Sequence, residues 1–180
     1  MTKHTKVINI FGGPGSGKST ISSDLFRYMK QQEISVELVG EVAKDWIHEG
    51  NYQKLWNCQD LLTAEQNYRQ SRLMGKYDFI IADSPIILGM FYVPQGYYKS
   101  YAPFVSEIFQ SYDNVNIMLQ RRPNAYYVTE HRVHNKAEAD TADLQLRSYL
   151  KDNGILHFST VSDNNAAYSI WQYLKESIID

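Results

Sequence analysis

Short apolar runs and helical stripes alternate along the chain. The first run, residues 7–11, is rich in β-branched side chains and apolar on both faces, which predicts a strand inside a sheet. From 17 to about 30 the apolar positions are Ile21, Leu25, Phe26 and Met29, the spacing of a helix with one buried face. Residues 35–40 alternate and end in Gly40, predicting a second strand, and a helix opens at Glu41. Gly50 and Asn51 interrupt it. Leu61, Leu62, Ala64, Tyr68 and Leu73 then place a helix over 57–74, closed by Gly75. A buried strand over 77–82 ends on Asp83-Ser84-Pro85.

Beyond that point Pro94, Gly96 and Pro103 punctuate a stretch that carries Tyr92, Tyr97, Tyr98 and Tyr101, before a short helix over 104–109. Residues 115–120 predict the fourth strand, which runs into Arg121-Arg122-Pro123 and a polar stretch through Lys136. A helix over 137–150, a fifth strand over 155–159, an N-cap at Ser162-Asp163 and a last helix over 166–178 complete the chain. Strands alternating with helices predict an α/β architecture, a parallel sheet with helices on both faces. Right-handed crossovers then bring the strand tips and their loops to one edge.

Composition narrows the setting. At 180 residues the chain has the length of one α/β domain, and a single domain over 1–180 is expected. The formal net charge of −2 supplies no bulk attraction to nucleic acid or to an anionic membrane. Cys58 is the only cysteine, so no intrachain disulfide forms. The opening residues lead into a strand with no apolar signal core, and no stretch has the roughly 20 apolar residues of a membrane span. A cytoplasmic protein without a membrane partner is expected.

The chemistry is concentrated in Gly12-Gly13-Pro14-Gly15-Ser16-Gly17-Lys18-Ser19-Thr20, which satisfies G-x-x-x-x-G-K-[ST] between a strand and a helix. Glycines let successive backbone N–H groups turn toward one phosphate, and the helix start adds partial positive charge. Gly13, Gly15, Ser16, Gly17, Lys18, Ser19 and Thr20 are the expected phosphate contacts. Lys18 would reach the β- and γ-phosphates, and the Ser19 hydroxyl would ligate Mg²⁺. The loop fits ATP and GTP alike; ATP with Mg²⁺ is the reading carried forward. Asp83, at the tip of a strand beside the first, either completes the metal site or caps the turn into Ser84-Pro85.

With that loop, Glu41, Asp83-Ser84-Pro85 and the arginines between 121 and 132 in this order, the chain resembles the P-loop kinases of nucleosides and nucleotides, in particular deoxynucleoside and nicotinamide riboside kinases. The resemblance implies a three-layer P-loop NTPase fold, a five-stranded parallel sheet of order 2-3-1-4-5. It also implies a lid, about 121–137, whose arginines close over the phosphates, with Arg121, Arg122 and Arg132 as its candidates. Planar guanidinium groups suit the charge that develops on a transferred phosphoryl group. In these kinases an acid after the second strand serves as base, which implies that role for Glu41. A hydroxyl acceptor needs such a base, whereas a phosphate acceptor does not. The sequence departs from the family after Asp83, where an Arg is usual and Ser84-Pro85 stands instead.

The 57–74 helix holds Gln59, Gln66 and Arg69 on an otherwise apolar element. For the acceptor, the resemblance implies a Gln on this helix that reads a base edge, here Gln66, with Arg69 as a second candidate contact. The tyrosines from Tyr92 to Tyr101, Tyr92 and Tyr97 foremost, fit three roles: stacking a flat substrate, packing a lid, or forming a subunit interface in a homodimer. Three functions stay open at this point. The first is a kinase acting on a hydroxyl of a nucleoside-like molecule. The second puts DNA or RNA, as a strand end or a hydroxymethylated base, in the acceptor's place. The third is a regulatory NTPase.

Overall fold

The computed structural model describes residues 3–122 and 135–179. Its centre is a parallel sheet of five strands, β1 (Lys6–Phe11), β2 (Val36–Val39), β3 (Phe79–Ala82), β4 (Asp113–Gln120) and β5 (Phe158–Val161), in the order β2-β3-β1-β4-β5. This is the expected order, and β1 lies in the middle with every residue after Lys6 buried. Its register pairs Ile8 with Ile81 on one side and with Val115 on the other. Such a strand has no solvent face, which is why its sequence is a run rather than an alternation.

Helices cover both faces. On one, α1 (Lys18–Gln31) and α7 (Ala166–Leu174) pack Leu25, Met29, Ile170 and Leu174 on Ile8 and Ile10. On the other, a 3-10 turn (Ile86–Phe91), α5 (Tyr101–Gln110) and α6 (Lys136–Asp152) bring Ile87, Phe109, Leu146 and Leu150 to Phe11 and Met118. Three short helices, α2 (Val42–His48), α3 (Tyr52–Asn57) and α4 (Gln59–Ser71), follow β2 and carry their own small core of Val42, Trp46 and Leu55. Parallel strands send every following loop to the same edge. There Gly12, Gly40, Asp83, Arg121 and Ser162 begin the segments after β1 to β5.

The elements depart from the sequence pattern in three places. The helix expected over 57–74 is α4, shorter at both ends, and a separate helix that the pattern did not predict, α3, precedes it across Cys58. The apolar stripe of α4 faces outward: Leu61 and Tyr68 are 48% and 64% exposed, while Gln59, Thr63, Gln66 and Gln70 are buried. The last strand begins at Phe158 instead of residue 155: Ile155 still donates its N–H to the Leu150 carbonyl of α6 at 2.8 Å, and the ladder with β4 starts at the Ile117–Phe158 pair. The N-cap of α7 is Asn165, not Ser162-Asp163; Asp163 instead accepts the Asn165 N–H at 2.8 Å. The lid expected over 121–137 falls largely outside the described residues. Among the described residues no helix is long and apolar enough to cross a membrane.

At the opposite edge, Lys6 Nζ of β1 and His4 Nε2 both lie 2.7 Å from the Asp113 carboxylate of β4. Lys6 chiefly, with His4 and against a contribution from burial, draws the Asp113 carboxyl below its ordinary value. A carboxyl with a depressed pKa in the folded state adds stability that is complete above its unfolded value and is lost as pH falls through the folded one. Asp113→Asn should therefore lower stability by about 0.5–1 kcal/mol near pH 7, since the side chain is 36% exposed and partly screened. Urea unfolding at a series of pH values should show the two proteins converge as pH drops below 3.8.

Candidate active site

The loop from Gly12 to Ser19 leaves β1 and winds into the first turn of α1. Gly15 and Gly17 hold φ of 72° and 93°, a region that side-chain-bearing residues rarely enter. A Cβ on Gly17 would also strike Ser162 Oγ. The loop is thus packed from outside by the segment after β5. Ser16 is 3% exposed, and its buried Oγ has no hydrogen-bond partner among the described residues. Lys18 Nζ folds back to donate to the carbonyls of Gly12 at 2.8 Å and Gly13 at 3.2 Å. An orphaned hydroxyl, a backbone turn closed to side chains and a cation held by weak neutral acceptors together fit a phosphate group.

A cavity of about 420 Å³ starts at this loop. Pro14, Gly15, Gly17, Lys18, Ser19 and Thr20 form one side, and Glu41, Lys44 and His48 of α2 line it too. Its remaining wall is apolar and aromatic: Ile47, Leu55, Trp56, Leu62, Leu88 and Tyr92, with Ser84, Gly89 and the buried amide of Gln59. Thus Glu41 and Tyr92 of the sequence-derived residues join the phosphate loop in one space. Glu41 is the residue that precedes α2, in extended conformation, with no capping bond from its side chain.

Other expected residues lie elsewhere. Asp83 is 6% exposed at the tip of β3 and is not on the cavity wall; Ser22 Oγ of α1 donates to it at 3.4 Å. Gln66 is a correction. Its Oε1 accepts the Val42 N–H at 2.9 Å and its Nε2 donates to the Gly40 carbonyl at 3.1 Å, so both ends of the amide are engaged and no base edge reaches it. These bonds clamp the backbone on both sides of Glu41. Arg69 is also reassigned: its guanidinium pairs with Asp45 and Glu65, each at 2.7 Å, away from the cavity.

Tyr97 packs rather than stacks on a substrate. Its ring meets Tyr98 and Tyr101 edge to face, and its hydroxyl donates to Asp60 at 2.7 Å. Burial raises the Tyr97 phenol above its ordinary value, and its hydrogen bond draws the Asp60 carboxyl down. Arg121 is paired with carboxylates of α6, at 2.8 Å to Asp143. Arg122 is exposed, and Arg132 lies outside the described residues. Trp56 escaped the sequence reading, and of the glutamines on α4 it is Gln59 rather than Gln66 that lines the cavity. Among the described residues no three His, Cys, Asp or Glu side chains cluster as a metal site.

A central parallel strand, a glycine-rich loop closing on a Lys-Ser pair and a cavity at the strand tips define a P-loop nucleotide-binding protein. More particularly, the family model of the AAA domain matches residues 7–166, and the chain belongs to that family. No curated protein matches it in sequence. In fold it is similar to the NadR protein in complex with NAD and AMP-PNP, at TM-score 0.65 and 14% identity over 96% of this chain and 49% of that one. NadR in complex with NR gives TM-score 0.69 at 14% identity, over 96% and 51%. Deoxyadenosine kinase from M. mycoides, with products dCMP and a flexible dCDP bound, gives 0.59 at 20% identity, over 94% and 98%. The chain therefore spans about half the length of NadR and nearly all of the deoxyadenosine kinase. The fold is the P-loop fold in the form these proteins share.

Replacing Gln66 by Leu keeps the volume and removes both bonds to the Glu41 segment. Loss of about 1–3 kcal/mol of stability is expected, because the Gly40 carbonyl and Val42 N–H lose their partner. Thermal unfolding measures it; a stability within 0.5 kcal/mol, roughly the spread of neutral surface changes, would show that the clamp is idle.

Proposed function

We propose that the protein is an ATP- and Mg²⁺-dependent kinase that transfers the γ-phosphate to a hydroxyl of a nucleoside-like acceptor. The observation that carries this reading is the single cavity that joins the phosphate loop, Glu41 and an aromatic-apolar wall. Its 420 Å³ suits a small molecule beside the reacting phosphate. The similar folds are those of proteins whose described ligands, AMP-PNP, NR, dCMP and dCDP, are nucleotides or nucleoside-like molecules. At 14–20% identity these ligands support the substrate class.

In this reading the loop's N–H groups and Lys18 hold the phosphates. Lys18 exchanges the carbonyls of Gly12 and Gly13 for phosphate oxygens and balances the charge that gathers there as the γ-group departs. Glu41 accepts the proton of the acceptor hydroxyl as its oxygen bonds to phosphorus, with ADP leaving. Ser19 of the cavity wall would hold Mg²⁺, with Asp83, set back from the wall, acting through a bound water; the ion when bound draws charge from the phosphate oxygens. Trp56 and Tyr92 of the cavity wall would stack on a flat ring, and Gln59, whose Nε2 is given to the Leu55 carbonyl, replaces Gln66 as the amide beside it. Arg122 and Arg132 remain the proposed lid cations. The AAA family match favours a second reading, hydrolysis without an acceptor.

Glu41→Gln should lower turnover by about 10²–10⁴-fold and leave ATP affinity within a few-fold. Equal turnover by the variant would remove Glu41 from the chemistry. Trp56→Ala should raise the acceptor KM by about tenfold, the worth of one stacked ring, without moving the ATP KM. Incubation of γ-labelled ATP with nucleosides, nucleotides, nicotinamide riboside and modified DNA separates the readings: label on an added acceptor supports transfer, and label released only as free phosphate supports hydrolysis.

A further inference from the structure

A carboxylate stands behind the phosphate loop. Asp143 of α6 accepts the Gly13 N–H on Oδ1 at 2.5 Å, and its Oδ2 accepts from Arg121 Nη2 at 2.8 Å. Arg121 Nε also lies 3.5 Å from Asp140. The Asp143 and Arg121 side chains are each 13% exposed, so little water screens either charge. Gly13 precedes Pro14, the first loop residue on the cavity wall, and a Cβ on Gly13 would meet Asp143 Oδ1 at 2.7 Å and the Ala139 carbonyl at 2.9 Å. The loop is therefore pressed against α6, with one of its N–H groups already given to an anion.

An anion so near a phosphate site repels the ligand that the site is built to take. It is tolerable only if its charge is cancelled locally. We propose that Arg121 serves as the counter-charge of Asp143, allowing that carboxylate to pin the loop through Gly13 without opposing the phosphates. Arg121 is then a positioning residue and not a clamp on the transferred group, although it follows β4 where a lid arginine is expected. The two oxygens of Asp143 divide the work: one fixes the backbone, the other meets the guanidinium. A neutral amide in the same place keeps an oxygen for Gly13 and has no charge to cancel.

The proposal rests on the reading of the loop as an ATP site, and a double-variant cycle tests it. ATP binding to the full chain with Mg²⁺ is measured by calorimetry for the unchanged protein, Arg121→Gln, Asp143→Asn and the pair together. Arg121→Gln should weaken binding about tenfold, the order of one uncompensated charge in a poorly screened site. Adding Asp143→Asn should return affinity to within about twofold of the unchanged protein. Arg121→Lys, which preserves the charge, should bind more tightly than Arg121→Gln, and thermal unfolding confirms that each variant is folded. A double variant as weak as Arg121→Gln would show that Arg121 acts on the phosphates directly and would overturn the proposal alone. Failure of the unchanged protein to bind ATP would overturn the nucleotide reading, and this one with it.

Discussion

Everything at the active edge depends on a turn of backbone that no ordinary side chain could make. Between Phe11 and Lys18 the chain must leave a fully buried strand, curl with positive φ at Gly15 and Gly17, and begin α1. Such a turn has little apolar surface of its own and is held from outside. Ser162 after β5 closes on Gly17, Asp143 and Ala139 of α6 close on Gly13, and Lys18 ties back to two of the loop's own carbonyls. Only a parallel sheet puts the segments after β1, β4 and β5 close enough for this, because each strand then ends at the same edge.

The same edge explains why α4 is built with its polarity inverted. Strand tips and short connecting loops leave backbone N–H and C=O groups without ladder partners, and buried groups of this kind must be satisfied. A helix docked over them with leucines would leave them bare. Instead α4 presents Gln66 to Gly40 and Val42, Thr63 to the Tyr101 hydroxyl, and Gln59 to Leu55. The amides are structural wherever they meet backbone. Gln59 alone of the buried stripe also borders the cavity, while its Nε2 is given to the Leu55 carbonyl.

This accounts for what the sequence revealed and what it hid. The phosphate loop was legible because its chemistry demands particular residues at fixed spacing. The strands were legible because a buried parallel strand must be an apolar run. The acceptor side was not, since Gln59, Thr63, Gln66 and Gln70 recur with helical spacing yet read as a solvated face beside Leu61 and Tyr68. Only partners remote in sequence reverse that sense, Gly40 and Val42 for Gln66 and the Tyr101 hydroxyl for Thr63. Trp56 was missed for a related reason: Gly50 and Asn51 mark a break, and the six-residue helix α3 after it is too short to show a period. Position alone also misplaced Tyr97 and Arg69, whose partners Asp60, Asp45 and Glu65 are surface acids with no motif.

The two halves of the site consequently differ in what supports them. The phosphate loop grows out of the central strand and is backed by a core that runs through Ile8, Ile10, Leu25 and Ile170. The cavity wall facing the loop comes mainly from α2, α3 and the start of α4, whose own core is little more than Val42, Trp46 and Leu55. Local opening costs less free energy where fewer apolar contacts must be broken. The loop side of the cavity is therefore the rigid reference, and the opposite wall can yield while Gln66 keeps the Glu41 segment tied to the end of β2. On the proposed reading, a base anchored to the sheet and facing a wall that is free to adjust would keep the reacting groups in register whatever ring the wall closes on.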